Sequence, residues 1–285
     1  MAQEQIVRDK IRRVTPIDLL DAGAVDAIAA LCRRSLAEPP SPDELTAVLF
    51  GGDQPVVVRG DPTIGVVATG EGGGNGFVKL LVVDPAHRRQ GHGRALLDAA
   101  EADLADLPSI TVGTDAPFYL FPGVETRETA LLCLLERRRY QRRDTAFNMS
   151  VDLDALPPDP GTTTTATAAD RTEVATWLDA HWPHWRAEAL RALDKGTLIV
   201  AHDGEGIRAF CAYDVNRAGW VGPVAVRPDL LGRGAGVGVL LGALHRMRTA
   251  GHRSAEIAWV GPIVPYARIG AVVSAVFFVY RKKLR

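Results

Sequence analysis

Cysteine is scarce in this chain: Cys32, Cys133 and Cys211 are the only three in 285 residues, with no C-x-x-C pair and no histidine at ligand spacing. That excludes a disulfide framework and a structural zinc site, so no metal is expected. Each cysteine is expected to be a small buried hydrophobe. Lysine is rarer than arginine, 5 against 28, a balance that reflects genome composition and carries no chemistry. A long hydrophobic run is also missing. The longest, Ala271 to Tyr280, is about half of the ~20 residues a membrane helix needs. The charged start, Met1 to Lys10, has no apolar stretch of the secretory kind. A net charge of −1 gives no general attraction to nucleic acid or an anionic membrane. The expectation is a cytoplasmic protein with no nucleic-acid or membrane partner; nothing here indicates an oligomeric state.

What is present is core. Apolar residues make up 47% of the chain, ample for packed domains. Residues 1–155 carry 17 basic and 23 acidic groups, a net of −6; residues 156–285 carry 16 and 11, a net of +5. The change falls at Leu156-Pro-Pro-Asp-Pro-Gly161 and the threonines after it, a stretch hostile to helix that predicts a linker over 156–165. Two domains follow, 1–155 and 166–285.

Both halves predict the same order of elements, a mixed α/β pattern. In the first, a strand at Ile11–Pro16 and a helix from Pro16 to Arg33, entered near Thr15, precede strands at Gln54–Arg59, Ile64–Thr69 and Phe77–Val83. Gly70–Gly76 reads as a flexible hairpin loop. A helix at Gly91–Leu107, a strand at Ser109–Gly113, a helix at Thr126–Arg139 and a strand at Thr145–Leu153 complete it. In the second, helices at Arg171–His181 and Trp185–Leu193 lead to strands at Leu198–Ala201, Ile207–Asp214 and Trp220–Val226. A helix at Gly236–Ala250, a strand at Ala255–Val260, a helix near Pro262–Ile269 and a strand at Val272–Tyr280 follow.

Each half places a glycine-rich turn between its central strand and its long helix. The first runs Val83-Asp-Pro-Ala-His-Arg88-Arg89-Gln90-Gly91-His92-Gly93-Arg94, and the second Val226-Arg-Pro-Asp-Leu-Leu231-Gly232-Arg233-Gly234-Ala235-Gly236. Backbone N–H groups at a helix N-terminus point outward unpaired, and the helix dipole favours an anion there. Glycines admit a bulky phosphate, and arginines add charge-assisted hydrogen bonds. Neither turn contains G-K-[ST], and neither is G-x-G-x-x-G opening a βαβ unit, so Walker and dinucleotide loops are excluded.

These turns resemble the acetyl-CoA signature V-x-P-x-x-(R/Q)-x-x-G-x-(G/A) of the GCN5-related N-acetyltransferase (GNAT) family, here in tandem. The first matches throughout; the second departs once, at Leu231. The resemblance implies an α/β fold of two acyl-CoA N-acyltransferase domains with acetyl-CoA as co-substrate. The acceptor amine would attack the thioester directly while a backbone N–H of the central strand polarises its carbonyl. A tyrosine usually protonates the departing thiolate. Pro265-Tyr266-Ala-Arg-Ile-Gly270-Ala271 puts Tyr266 at that place, whereas the first half has Leu135 there.

The acceptor implied is a primary amine of a small molecule. A protein or peptide amine, or a non-catalytic acyl-CoA-binding module, is the alternative; division into one active and one donor-binding copy is a third reading. No general base stands out, with Lys79 and Asp115 as candidates beside a water chain. Trp177, Trp182 and Trp185, with Asp179, His181 and His184, suggest either an acceptor wall or aromatic cement between two helices. Arg137–Arg139, Arg142 and Arg143 form a basic cluster near the first donor turn, read as an adenosine-phosphate contact or as a solvated helix face.

Overall fold

The computed structural model describes residues 17–52 and 55–284. The strand expected at Ile11–Pro16, the helix entry at Thr15 and the strand start at Gln54 fall outside the described residues. The chain forms two compact units. Unit 1 holds Met1–Val112, Ala130–Gln141 and Arg281–Arg285, and unit 2 holds Gly113–Thr129 and Arg142–Tyr280.

In unit 1 the sheet order is β1 (Leu19–Leu20), β2 (Val56–Asp61), β3 (Gly65–Gly72), β4 (Asn75–Val83) and β5 (Ser109–Val112). All neighbours are antiparallel except β4 and β5. The first helix, α1 (Val25–Ser35), starts later than expected. Asp21 accepts from Gly23 N–H at 2.8 Å and opens a 3-10 turn over Ala22–Ala24, so the preceding residues are free to form β1. A short helix α2 (Pro42–Leu45) was missed, although Ser41 and Glu44 form a capping box. The expected loop at Gly70–Gly76 is a tight hairpin instead. Only Gly73 and Gly74 stand outside the strands, with φ of 54° and 72°, the left-handed pair a type I′ turn requires. The long helix α3 (His92–Asp103) packs on β3 and β4, and α4 is Thr129–Arg137.

In unit 2 the short β6 (Val124–Glu125) pairs antiparallel with β13 (Val272–Lys283). The order from there is β13, β7 (Gln141–Asp152), β12 (Ser254–Ile257), β11 (Trp220–Val226), β10 (Gly206–Tyr213), β9 (Leu198–Asp203) and β8 (Thr164–Thr165). Helices α5 (Arg171–His181) and α6 (Arg186–Lys195) bury one face of this sheet, with Leu198, Val200, Phe210 and Ala212 in their core. Helix α7 (Ala235–Thr249) buries the other, with Ile199, Ala201, Ala209 and Cys211. Alternate residues of the same strands feed the two cores, so β9 and β10 are apolar on both sides. Helix α8 (Ile263–Ala267) follows β12.

The compact units correct the 1–155 and 166–285 division at its strands. β7, expected to close the first domain, pairs antiparallel with β12 from Ser254↔Asp152 to Ile257↔Met149, and sends Met149, Val151 and Leu153 into the core beneath α7. The chain end is fastened in unit 1: Arg281 Nε donates to Ser109 Oγ at 2.9 Å, and Leu284 N–H to Pro108 O at 3.0 Å. A strand edge accepts any chain that offers its ladder, wherever it lies in sequence. The 156–165 stretch is no free tether either. His245 Nε2 bonds Pro157 O at 2.8 Å, and Arg246 donates to Thr163 O and to the Thr163 and Thr165 hydroxyls, binding it along α7. Cys32 and Cys211 are buried as expected, but Cys133 is exposed on α4. Among the described residues no helix is long and apolar enough to cross a membrane.

Candidate functional site

Both units split a parallel strand pair next to a helix-opening turn. β4 pairs with β5 only from Gly76↔Ile110 to Val78↔Val112 and then runs on through Lys79–Val83. β11 pairs with β12 at Trp220↔Glu256 and Val221↔Ile257 and runs on through Gly222–Val226. Each continuing flank begins at a bulge. Lys79 is the extra residue of β4, between partners Val78 and Leu80, and the Gly222–Pro223 step is the irregularity of β11. A proline at this bulge withdraws no hydrogen bond from a ladder.

The flanks deliver the two glycine-rich turns with one backbone conformation. Asp84 and Arg227 share φ −52° and ψ 131°. Then His87 N–H donates to Asp84 O at 2.8 Å and Leu230 N–H to Arg227 O at 2.9 Å. Arg89 (φ 61°) answers Gly232 (φ 79°), and Gly91 (φ 96°) answers Gly234 (φ 85°). The first bond inside α3 runs from Ala95 N–H to Gly91 O, whereas in α7 both Val237 N–H and Gly238 N–H donate to Gly234 O, at 3.1 and 3.3 Å. The N–H groups of His92, Gly93 and Arg94, and of Ala235 and Gly236, therefore precede the α3 and α7 ladders. A Cβ on Gly93 would meet Val83 Cγ2 at 3.7 Å, and one on Gly236 would meet Val226 Cγ2 at 3.1 Å. These two glycines let each helix sit tightly on the end of its strand.

Side chains divide the turns. Arg88 does not point at a ligand: its Nε donates to Val83 O at 3.1 Å and its Nη2 to Ser35 O at 3.0 Å, tying the turn to the end of α1. Gln90 likewise turns inward to Ala86 O. Arg89 and Arg94 are exposed and remain for an anion. In unit 2 Leu231 cannot make Arg88's bonds and is exposed. The equivalent carbonyl, Val226 O, is capped instead by Trp182 Nε1 at 3.0 Å from the end of α5. The one departure from the signature is thus compensated across the fold. Arg227 is held by Asp203, Glu205 and Asp229, leaving Arg233 as this turn's exposed cation.

The backbone around Leu135 and Tyr266 also aligns. Tyr140 N–H donates to Leu135 O in unit 1 and Ala271 N–H to Tyr266 O in unit 2, with Arg139 (φ 63°) and Gly270 (φ 89°) at matching places. Leu135 is fully buried in the core. Tyr266 packs against the α7 core on α8, and burial pushes its hydroxyl up to about 12, so it stays protonated at neutral pH.

Other expectations fare differently. Arg138 is an interhelical clamp, bonded to Glu101 at 2.7 Å and to Asp98, which leaves the cluster's centre no phosphate to hold. Asp115, expected to serve the first copy, lies in unit 2. Trp177 is core, while Trp182 stacks on Trp185 with ring centroids 5.1 Å apart. Asp179 pairs with Arg186 at 2.9 Å, and His181 and His184 pack against tryptophan rings. Among the described residues no three His, Cys, Asp or Glu side chains gather as metal ligands.

A buried polar cluster in unit 2 was not foreseen. Glu188 of α6 and Asn216 of the β10–β11 loop are both nearly inaccessible. Asn216 Nδ2 donates to Glu188 Oε1 at 3.0 Å and to Pro117 O at 3.1 Å. Tyr119 packs its ring on Trp220 at 5.9 Å and on Trp259 at 5.5 Å. Burial pushes the Glu188 carboxyl up to about 8 against the opposing pull of Asn216 and Arg191; burial and Glu188 together raise the Tyr119 hydroxyl. The only trace in sequence is an acid on the same face as Ala192 in an otherwise apolar stripe.

A family model described as an acetyltransferase (GNAT) domain matches residues 52–120. The mycothiol acetyltransferase of Kineococcus radiotolerans is 30% identical, covering 80% of this chain and 80% of that protein. The one from Corynebacterium glutamicum is 26% identical over 98% of this chain and 97% of its own length. A tandem GNAT protein from the clavulanic acid biosynthesis pathway has the same fold, with a TM-score of 0.70 at 16% identity, over 94% of this chain and 98% of that one.

Proposed function

The chain belongs to the GCN5-related N-acetyltransferase family in its tandem form, and from that premise we propose that unit 2 moves the acetyl group of acetyl-CoA onto a primary amine of a small molecule, while unit 1 binds acetyl-CoA without turning it over. The observation carrying this reading is that both units have the donor turn and the open strand flank, but only unit 2 has a hydroxyl, Tyr266, at the acid position.

The donor's pyrophosphate rests on the first N–H groups of α7, with Gly232 and Gly234 keeping the approach open, Gly236 seating the helix on Val226 and Arg233 adding charge. Its acyl arm runs back along Gly222–Val226, where β11 has no parallel partner, toward Trp220 and Trp259. A backbone N–H of this strand polarises the thioester carbonyl. The amine nitrogen attacks that carbon, the N–C bond forms, and the C–S bond breaks. Tyr266 gives its proton to the thiolate and recovers one from solvent.

The relatives' names make des-acetyl mycothiol the first acceptor to test. Acetyl-CoA would be titrated calorimetrically and thiol release followed over a panel of amines that includes it. The expected result is two donor sites and amine-dependent release. Two sites with no release over the panel would overturn the transferase reading in favour of a donor-binding module.

A further inference from the structure

Asn216 poses a question that the donor side does not answer. Both of its amide hydrogens are spent, on Pro117 O and on Glu188 Oε1, and two acceptors on that side fix which way the amide faces. Its own Oδ1 is left buried with no hydrogen-bond partner. A buried acceptor left unmet is costly, and the surroundings do not let it swing away. Lys195 Nζ donates to Asp214 O and Val215 O, both at 2.9 Å, and Asp214 Oδ1 takes Gly219 N–H, which pins the loop on both sides of Asn216.

The place matters as much as the vacancy for a donor. Tyr119 is the common neighbour: it touches Trp220, the first residue of β11, and Trp259, two residues past the end of β12, and it feels the charge of Glu188. Trp220 and Val221 are where the parallel pair last holds together before β11 runs on alone. An acyl arm lying along Gly222–Val226 spans about 16 Å at ~3.3 Å per residue, and its reactive end therefore arrives beside Trp220 and Trp259. The cluster lies one ring further on, across Tyr119.

We propose that Glu188 and Asn216 Oδ1 together receive the acceptor's primary amine, with the Glu188 carboxylate taking a proton from it. This inference rests on unit 2 being the transferring unit. A primary amine matches the two groups because it presents several N–H donors from one atom to two acceptors. The charged and titratable groups around Glu188 include Arg191, three residues along α6, Tyr119 from the loop after β5, and Arg217, next to Asn216, whose guanidinium lies 5.1 Å from the Trp220 ring. Arg191 itself lies over the Phe118 ring at 3.4 Å, so it braces that loop. On amine binding the ammonium gives one proton to Glu188. The freed nitrogen then attacks the thioester carbon, Tyr266 protonates the thiolate, and the excess protons leave to solvent from Glu188 and from the new amide nitrogen.

The test uses the full chain and the best amine of the panel. E188Q keeps the bond from Asn216 and the volume, so acetyl-CoA affinity should stay within about twofold. kcat/KM for the amine should fall about 100-fold or more, within the range general bases contribute. Wild type should lose activity below about pH 8, where Glu188 is protonated, and E188Q should lack that limb; E188D should keep it at reduced rate. N216L should raise the amine KM with a smaller change in kcat, and it serves as the second variant should E188Q fold poorly. E188Q turning over at near wild-type kcat/KM with the limb in place, or N216L leaving KM unchanged, would overturn the assignment and leave the transferase reading intact. A wild type that acetylates no amine would overturn both.

Discussion

The two donor turns follow the same path with different means. In unit 1 one arginine from the turn, Arg88, caps Val83 O and reaches Ser35 O at the end of α1. In unit 2 the cap comes the other way, from Trp182 at the end of α5 to Val226 O. The backbone angles and the helix-opening bonds agree nevertheless. What such a turn must supply is a capped strand-end carbonyl, two residues in the left-handed region and a row of outward N–H groups. The arginine of the signature is one way to meet the first requirement, and Leu231 marks a turn that meets it from elsewhere.

This comparison can be broken by exchanging the staples. Arg88→Leu removes two charge-assisted bonds, about 1.5–3 kcal/mol in all at a half-buried site. Unit 1 should melt earlier and bind acetyl-CoA more weakly, read by differential scanning and by loss of the corresponding step in the titration. Trp182→Phe removes a single neutral bond of about 1 kcal/mol and should weaken the donor site of unit 2 several-fold, visible as a raised KM for acetyl-CoA. Leu231→Arg should do least, within about 0.5 kcal/mol, because Trp182 already occupies the carbonyl the new side chain would seek. A large gain from Leu231→Arg would mean that the Trp182 bond does not replace Arg88.

Much of this was legible from residues alone. The central strands were, because β9 and β10 are buried on both faces and so read as unbroken apolar runs. The conformation of the glycine-rich turns was, because their glycines are demanded by positive φ at Gly91 and Gly234 rather than by composition. Tyr266 and Leu135 aligned for the same reason, each followed by a left-handed residue and a closing bond. The rest depends on contacts distant in sequence. Nothing local distinguishes β7 pairing with β5 from β7 pairing with β12, and the ladder that decides it joins Asp152 to Ser254. Trp182 and Val226 are 44 positions apart. Glu188 and Asn216 meet a loop some 70 to 100 positions upstream, at Pro117 and Tyr119. Asp115 went to the wrong copy on the same account, since the segment after β5 is built into unit 2.

At the position matched by Leu135 and Tyr266 the units differ by one hydroxyl, and Tyr266→Phe isolates it. Removing the phenol oxygen leaves the ring in the α7 core and both donor turns intact. Thiol release with the preferred amine, measured beside an acetyl-CoA titration of the same variant, should fall about 100-fold or more with two donor sites still filled. Turnover unchanged in Tyr266→Phe would contradict the account, because transfer would then not depend on the hydroxyl that unit 1 lacks.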